Sequence, residues 1–191
     1  INGQGAHQNF QHGNDSKGGP RRPKIIYFIG CNNVRVQDVT LRNSAYWTQD
    51  YEKCNGVIVR GVKVYSHANW NNDGLDIDSR NVVVSDCYID CDDDALCLKS
   101  DTDTPCENVT VTNCVLKSNC NAIKFGTSSY SGFKNVTISN CTIDRASEDH
   151  IRQWYKNYPW IGTKHKTVVA GIALESVDGG IIENVSISDI A

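Results

Sequence analysis

The chain has 191 residues, 39% of them hydrophobic, with 19 Lys and Arg against 22 Asp and Glu and a net charge of −3. That length suffices for one domain with a sizeable core, and no apolar run approaches the length of a membrane span. The charge leaves no basic footprint for holding nucleic acid through its phosphates, and the short mixed charge runs read as solvated surface.

The chain contains no Met, opens on Ile1-Asn2-Gly3-Gln4-Gly5 and stops at Ile190-Ala191 inside a repeat. It therefore reads as a piece of a longer chain, with any signal peptide outside it. Six segments share one pattern: Asn33-Val34-Arg35-Val36, Gly56-Val57-Ile58-Val59, Asn81-Val82-Val83-Val84, Asn108-Val109-Thr110-Val111, Asn135-Val136-Thr137-Ile138 and Asn184-Val185-Ser186-Ile187. Their starts are 23, 25, 27, 27 and 49 residues apart, and the last gap reads as two repeats, one poorly marked. Alternation of β-branched with polar residues is the period of a strand with one buried face. No segment of the repeat has a helical period.

Six positions after each start lie Val39, Val62, Cys87, Cys114, Cys141 and Ile190, each preceded by Asp38, Gly61, Asp86, Asn113, Asn140 or Asp189. A sandwich has no reason to repeat such columns. A right-handed parallel β-helix does, because each coil lies about 4.8 Å above the last. The Asn/Asp/Gly column marks a bend where left-handed backbone is tolerated. The reading is therefore all-β, a single β-helix domain over 1–191, incomplete at both ends, with a loop insertion over about 145–166.

A second set of strands also aligns: Gly74-Leu75-Asp76-Ile77-Asp78, Ala95-Leu96-Cys97-Leu98-Lys99, Ala122-Ile123-Lys124-Phe125-Gly126 and Gly171-Ile172-Ala173-Leu174-Glu175. Their apolar members point inward. The outward columns are Asp76, Cys97, Lys124, Ala173 and Asp78, Lys99, Gly126, Glu175. Just before each strand sit Asp73, Asp94, Asn121 and Ala170, with Asp93 beside Asp94. Stacking brings Asp73, Asp93 and Asp94 to one patch. Carboxyls that close do not all ionise easily, so one pKa rises and supplies a proton donor. Cleaving a glycosidic bond uses one carboxyl as acid and another as base. Lys99 and Lys124 border the cluster and are candidates for holding an anionic substrate group. Asp90, Asp101 and Asp103 read as solvated turn residues.

The segment from Arg145 to Lys166 breaks the repeat and interleaves Arg152, Trp154, Tyr155, Lys156, Tyr158 and Trp160. Aromatic faces among cations suit a sugar polymer bearing carboxylates. A loop that merely packs on the coil is the plainer reading. The nine Cys are an odd number, and Cys87, Cys114 and Cys141 fill a column that Val and Ile fill elsewhere. Cys31, Cys54 and Cys106 share another. They read as free thiols packed as small hydrophobes, and the lack of a CxxC pair speaks against zinc. Asn108, Asn135, Asn140 and Asn184 begin Asn-x-Ser/Thr triplets that are by-products of the repeat.

At these residues the chain resembles glycoside hydrolase family 28, the polygalacturonase and rhamnogalacturonase family. Asn43-Ser44-Ala45-Tyr46-Trp47 is similar to the family's Asn-Ser-Pro-x-Trp segment, Asn72-Asp73-Gly74 to its Asn-Thr-Asp-Gly motif, and Asp93-Asp94 to its Asp-Asp pair. The order of these motifs is more specific than any one alone. The resemblance implies single-displacement hydrolysis with inversion, Asp93 as general acid, and Asp73 and Asp94 activating water. It implies no metal or other cofactor, a pectic substrate of the galacturonan or rhamnogalacturonan type, a secreted or periplasmic location and a monomer.

Two departures stand out. The family's Gly-His-Gly histidine falls on Asn121, and its Arg-Ile-Lys motif falls on Ala173-Leu174-Glu175. A branched or rhamnose-containing pectin, or exo action, fits these changes better than plain endo-polygalacturonase action. The substrate-binding candidates are then Asn72, Lys99, Asn121, Lys124, Arg152, Trp154 and Glu175. Two other readings use the same architecture: a polysaccharide lyase with calcium at the Asp cluster, and a non-catalytic glycan-binding β-helix.

Overall fold

The computed structural model describes residues 1–10, 22–148 and 169–191. The chain winds as a parallel β-helix with three faces. The first face stacks β1 (Ile26–Ile29), the start of β4 (Gln49–Arg60), the start of β6 (Leu75–Ser85), β8 (Leu96–Ser100), β11 (Asn121–Ser129) and β13 (Ala170–Leu174). The second stacks β2 (Asn32–Gln37), the ends of β4 and β6, β9 (Cys106–Thr112), the start of β12 (Phe133–Arg145) and β14 (Ile182–Ile190). The third stacks β3 (Thr40–Arg42), β5 (Lys63–Ser66), β7 (Tyr88–Cys91), β10 (Val115–Ser118) and the end of β12. Among the described residues every strand pair is parallel, and the one helix is a 3₁₀ turn, Gln8–Phe10. No helix there is long and apolar enough to cross a membrane.

The inward columns make the core. Leu75, Leu96 and Ile123 are in register and fully buried, as are Ile77, Leu98 and Phe125. Val57, Val82, Val109 and Val136 do the same on the second face. Burying such rows against the coil above and below is the driving force for winding. All nine cysteines are free thiols, and eight are buried. Register places Cys87, Cys114 and Cys141 one above another. The Cys31–Cys54–Cys106 column also holds Ser79, whose hydroxyl accepts the Cys54 N–H at 2.9 Å.

Two corners carry left-handed backbone. The anticipated bend column has φ of 52° at Asp38, 62° at Gly61, 58° at Asp86, 56° at Asn113, 53° at Asn140 and 52° at Asp189. The opening residues of the repeat are left-handed as well: Asn33, Gly56, Asn81, Asn108, Asn135 and Asn184. Asn tolerates this conformation better than other residues with a Cβ. Here it also builds a ladder. Asn108 donates to Asn81 at 3.0 Å, Asn135 to Asn108 at 3.0 Å and Asn184 to Asn135 at 2.8 Å. The donor in each case is the amide nitrogen that glycosylation would need.

Two expectations are corrected. The 49-residue gap holds one coil, because Val136 pairs directly with Val185 and Ala170 with Asn121. The extra length falls in sequence between β12 and β13, mostly outside the described residues. Asp90 is not a solvated turn residue. It is 1% exposed, accepts from the Ser147 N–H at 3.0 Å and pairs with His67 Nε2 at 3.0 Å. Asp101 and Asp103 are exposed.

Candidate active site

The acidic cluster sits at the corner where the third face hands the chain to the first. The first-face ladder extends into this corner. The Gly74 N–H donates to the Asp94 carbonyl at 2.8 Å, and the Ala95 N–H to the Asn121 carbonyl at 2.9 Å. With Leu75 opposite Leu96 and Ile123, Asp73, Asp94 and Asn121 follow one another on successive coils. Gly74 is required by packing, since a Cβ there would lie 2.2 Å from Ile89 Cγ2 and 2.7 Å from the Ala95 carbonyl oxygen. Its absence lets the coils close and sets the carboxylates together.

Asp73, Asp93 and Asp94 are 4%, 6% and 3% exposed. Carboxylate oxygens of Asp73 and Asp94 and the Cys97 sulfur lie within 4.8 Å of one another, as do those of Asp93, Asp94 and the Cys120 sulfur. Asp94 is held on both of its carboxylate oxygens. Its Oδ1 accepts from Asn121 Nδ2 at 2.7 Å and from the Asn121 N–H at 3.2 Å, and its Oδ2 lies 3.1 Å from Lys124 Nζ. The Asp94 N–H donates to Asp93 Oδ1 at 3.0 Å, and Asn71 Nδ2 donates to Asp93 Oδ2 at 3.5 Å. Asn72, adjacent to Asp73 in the chain, is fully buried.

Cations are interleaved with the acids. Lys99 Nζ lies 3.4 Å from Asp76 Oδ1, Lys24 pairs with Asp50, and Lys124 reaches Glu175 at 3.8 Å. Lys24 and Lys99 also stand 4.4 and 4.5 Å from the ring centre of Trp47, which stacks on Tyr46. Burial first, and then the Asp73 charge, push the Asp76 carboxyl well above the usual range, with Lys99 opposing. Burial works against the charge of Lys99, but Cys97, Asp76, Asp73 and Asp94 together hold the ammonium protonated. Burial also raises Asp50, against the hydrogen bond from Lys24.

Asp73, Asp93, Asp94, Asn121, Lys99 and Lys124 thus meet at one corner, with Glu175 one coil further along. Lys99 is 8% exposed. Arg152 and Trp154 lie outside the described residues. Three members escaped the sequence reading. Asp50 pairs in register with Asp76, which the 26-residue offset between Asp50 and Asp76 matches in retrospect. Alternation places Asp76 on the outward column and gives no sign of its burial. Lys24 precedes the first recognisable repeat and carried no signal. For a metal, the nearby donors mix carboxylates with thiols, unlike the all-oxygen shell that calcium takes.

A probable polygalacturonase of Arabidopsis thaliana is 34% identical over 104 residues, 53% of this chain and 21% of its own length. A probable polygalacturonase of Vitis vinifera is 31% identical over 84 residues, 43% of this chain and 17% of its own. A second Arabidopsis polygalacturonase is 28% identical over 80 residues, 41% of this chain and 18% of its own. The aligned stretches therefore span about a fifth of each relative's length. The model of the glycosyl hydrolases family 28 matches residues 1–184. Carrying that match along nearly its whole length, the chain belongs to glycosyl hydrolases family 28.

Proposed function

We propose that this protein hydrolyses α-glycosidic bonds in a pectic polysaccharide by acid/base catalysis with inversion. The observation that carries the reading is the meeting of Asp73, Asp93 and Asp94 at one buried corner, with carboxylate oxygens of Asp94 within 4.8 Å of both others. Asp93 serves as general acid, and Asp73 and Asp94 activate the attacking water. Asp94 takes donors on both oxygens, one of them a cation, a setting suited to a base. These separations are shorter than the roughly 6.5–9.5 Å common in inverting enzymes. Inversion therefore rests on the family resemblance rather than on the spacing.

The substrate is galacturonan or rhamnogalacturonan. Asn121, Ala173 and Glu175 stand where the family's histidine and cations stand, which favours a rhamnose-containing chain or exo action over plain endo-polygalacturonase action. A polymer of this size is met outside the cytoplasm, so a secreted or periplasmic location goes with the reading. The test is product analysis on oligogalacturonides and rhamnogalacturonan oligosaccharides with a chelator present. Saturated sugars released with inverted anomeric configuration are expected. Unsaturated products, or activity abolished by the chelator, would overturn the hydrolase reading in favour of a calcium lyase. Binding without any product would leave a glycan-binding module.

A further inference from the structure

From the sequence alone, Lys124 reads as a cation for an anionic substrate group. Its surroundings argue for another task. It stands on the outward column of the first face, in register between Cys97 and Ala173. Its Nζ is 3.1 Å from Asp94 Oδ2 and 3.8 Å from Glu175 Oε2, and its side chain is 14% exposed. Glu175 is itself tied down by the Thr127 hydroxyl, which donates to Oε2 at 2.9 Å. A cation that grips a substrate carboxylate has to offer open donor positions. This one is enclosed by two carboxylates of its own protein. Burial alone would discourage its charge, and Asp94, Cys97 and Glu175 outweigh that.

The opposite oxygen of Asp94 is held by Asn121 through both its side-chain amide and its backbone N–H. Asp94 is therefore gripped from both sides by residues of the next coil, and Asn121 and Lys124 are three residues apart on the same strand, β11. We infer that Lys124 is a positioning residue for Asp94, set across three coils by the chain Asp94–Lys124–Glu175–Thr127, and not a substrate contact. The inference rests on the hydrolase reading only in that Asp94 is its base. A water-activating carboxylate must present one oxygen to the water, and a misplacement of about 1 Å can cost about 100-fold in rate. Glu175 then keeps Lys124 from swinging away from Asp94 toward the solvent.

The experiment compares Lys124→Met, Lys124→Arg and Glu175→Gln with the parent. Three readouts are used: kcat on the substrate found by product analysis, oligosaccharide affinity in an Asp93→Asn background, and crystal structures of the variants. The positioning role predicts that Lys124→Met lowers kcat about 100-fold with affinity unchanged. Lys124→Arg recovers most of the loss, and Glu175→Gln falls between. In the Met variant the Asp94 carboxylate turns out of its place beside Asn121, and in the Arg variant it returns. Weakened affinity with kcat preserved would overturn the inference, and so would an Asp94 carboxylate that keeps its rotamer in the Met variant. If the parent yields no saturated product, the hydrolase reading fails by itself. The crystallographic comparison then still decides whether Lys124 positions Asp94.

Discussion

Asp93 shows how much a single residue's role depends on its neighbours. Its backbone carbonyl is fixed by the Ser118 hydroxyl at 2.6 Å, and its side chain is held by the Asp94 N–H. An Asp93→Asn variant keeps the shape and the acceptor and loses the transferable proton. It is expected to lose about 100- to 10,000-fold in kcat while binding substrate as before. Turnover at the parent rate would exclude Asp93 as the acid. The Asp-Asp motif and the recurrence one coil apart made this residue visible in the sequence. Nothing comparable marked Asp90, because a turn carboxylate looks the same whether it meets water or a histidine 23 residues away.

At the scale of the element, two columns carry the stacking in different ways. The Asn ladder combines a left-handed backbone with a side-chain hydrogen bond to each neighbouring coil. Asn108→Ala loses both and is expected to cost about 2 kcal/mol, whereas Asn108→Gly recovers the backbone share and costs less. Denaturant unfolding of the two variants measures the difference, and equal losses would leave only the side-chain bond. The thiol column works by packing. Cys114 lies between Cys87 and Cys141, and hydrogen bonding from Cys114 lowers the Cys141 thiol below its usual range while burial opposes. Burial still governs access. A thiol-specific chromogenic reagent should titrate half-buried Cys31 in the native protein and the other eight only after unfolding. Fast native reaction of three or more thiols would contradict the burial. Periodicity showed which residues form columns. It could not show that the 49-residue gap was one coil, because an excursion and a weak repeat have the same length.

Across the whole molecule, buried acids give stability a pH dependence. Burial raises Asp78 to about 7, against the Asp101 N–H that it accepts at 3.0 Å, and Asp50 and Asp76 shift in the same direction. Between the ordinary value of 3.8 and about 7 the folded state binds more protons at Asp78 than the unfolded state does. Its contribution to stability is therefore fully present below that window and lost as pH rises through it. Asp90 works the other way. Burial would raise it, but bonds from His67 and Ser147 hold it below the usual range. Asp78→Asn keeps an acceptor for Asp101 and removes the titration. Its Tm should fall less than the parent's between about pH 4 and pH 8. Parallel Tm curves for the two proteins would show that Asp78 does not titrate in that window.

The sequence by itself determined the coil, since a period near 25 residues with one buried face per strand has few other ways to hide its apolar columns. It also determined that Asp73 and Asp94 are neighbours, because a fixed register turns sequence offsets into stacked positions. Only the tertiary structure decided what surrounds them. Lys24 and Asp50 belong to no motif themselves, and Asp76 is buried where alternation predicted an outward face. Lys124 is closed between two carboxylates instead of open to a ligand. Those outcomes depend on distances of a few ångströms between side chains far apart in sequence, and one-dimensional periodicity carries no such distances.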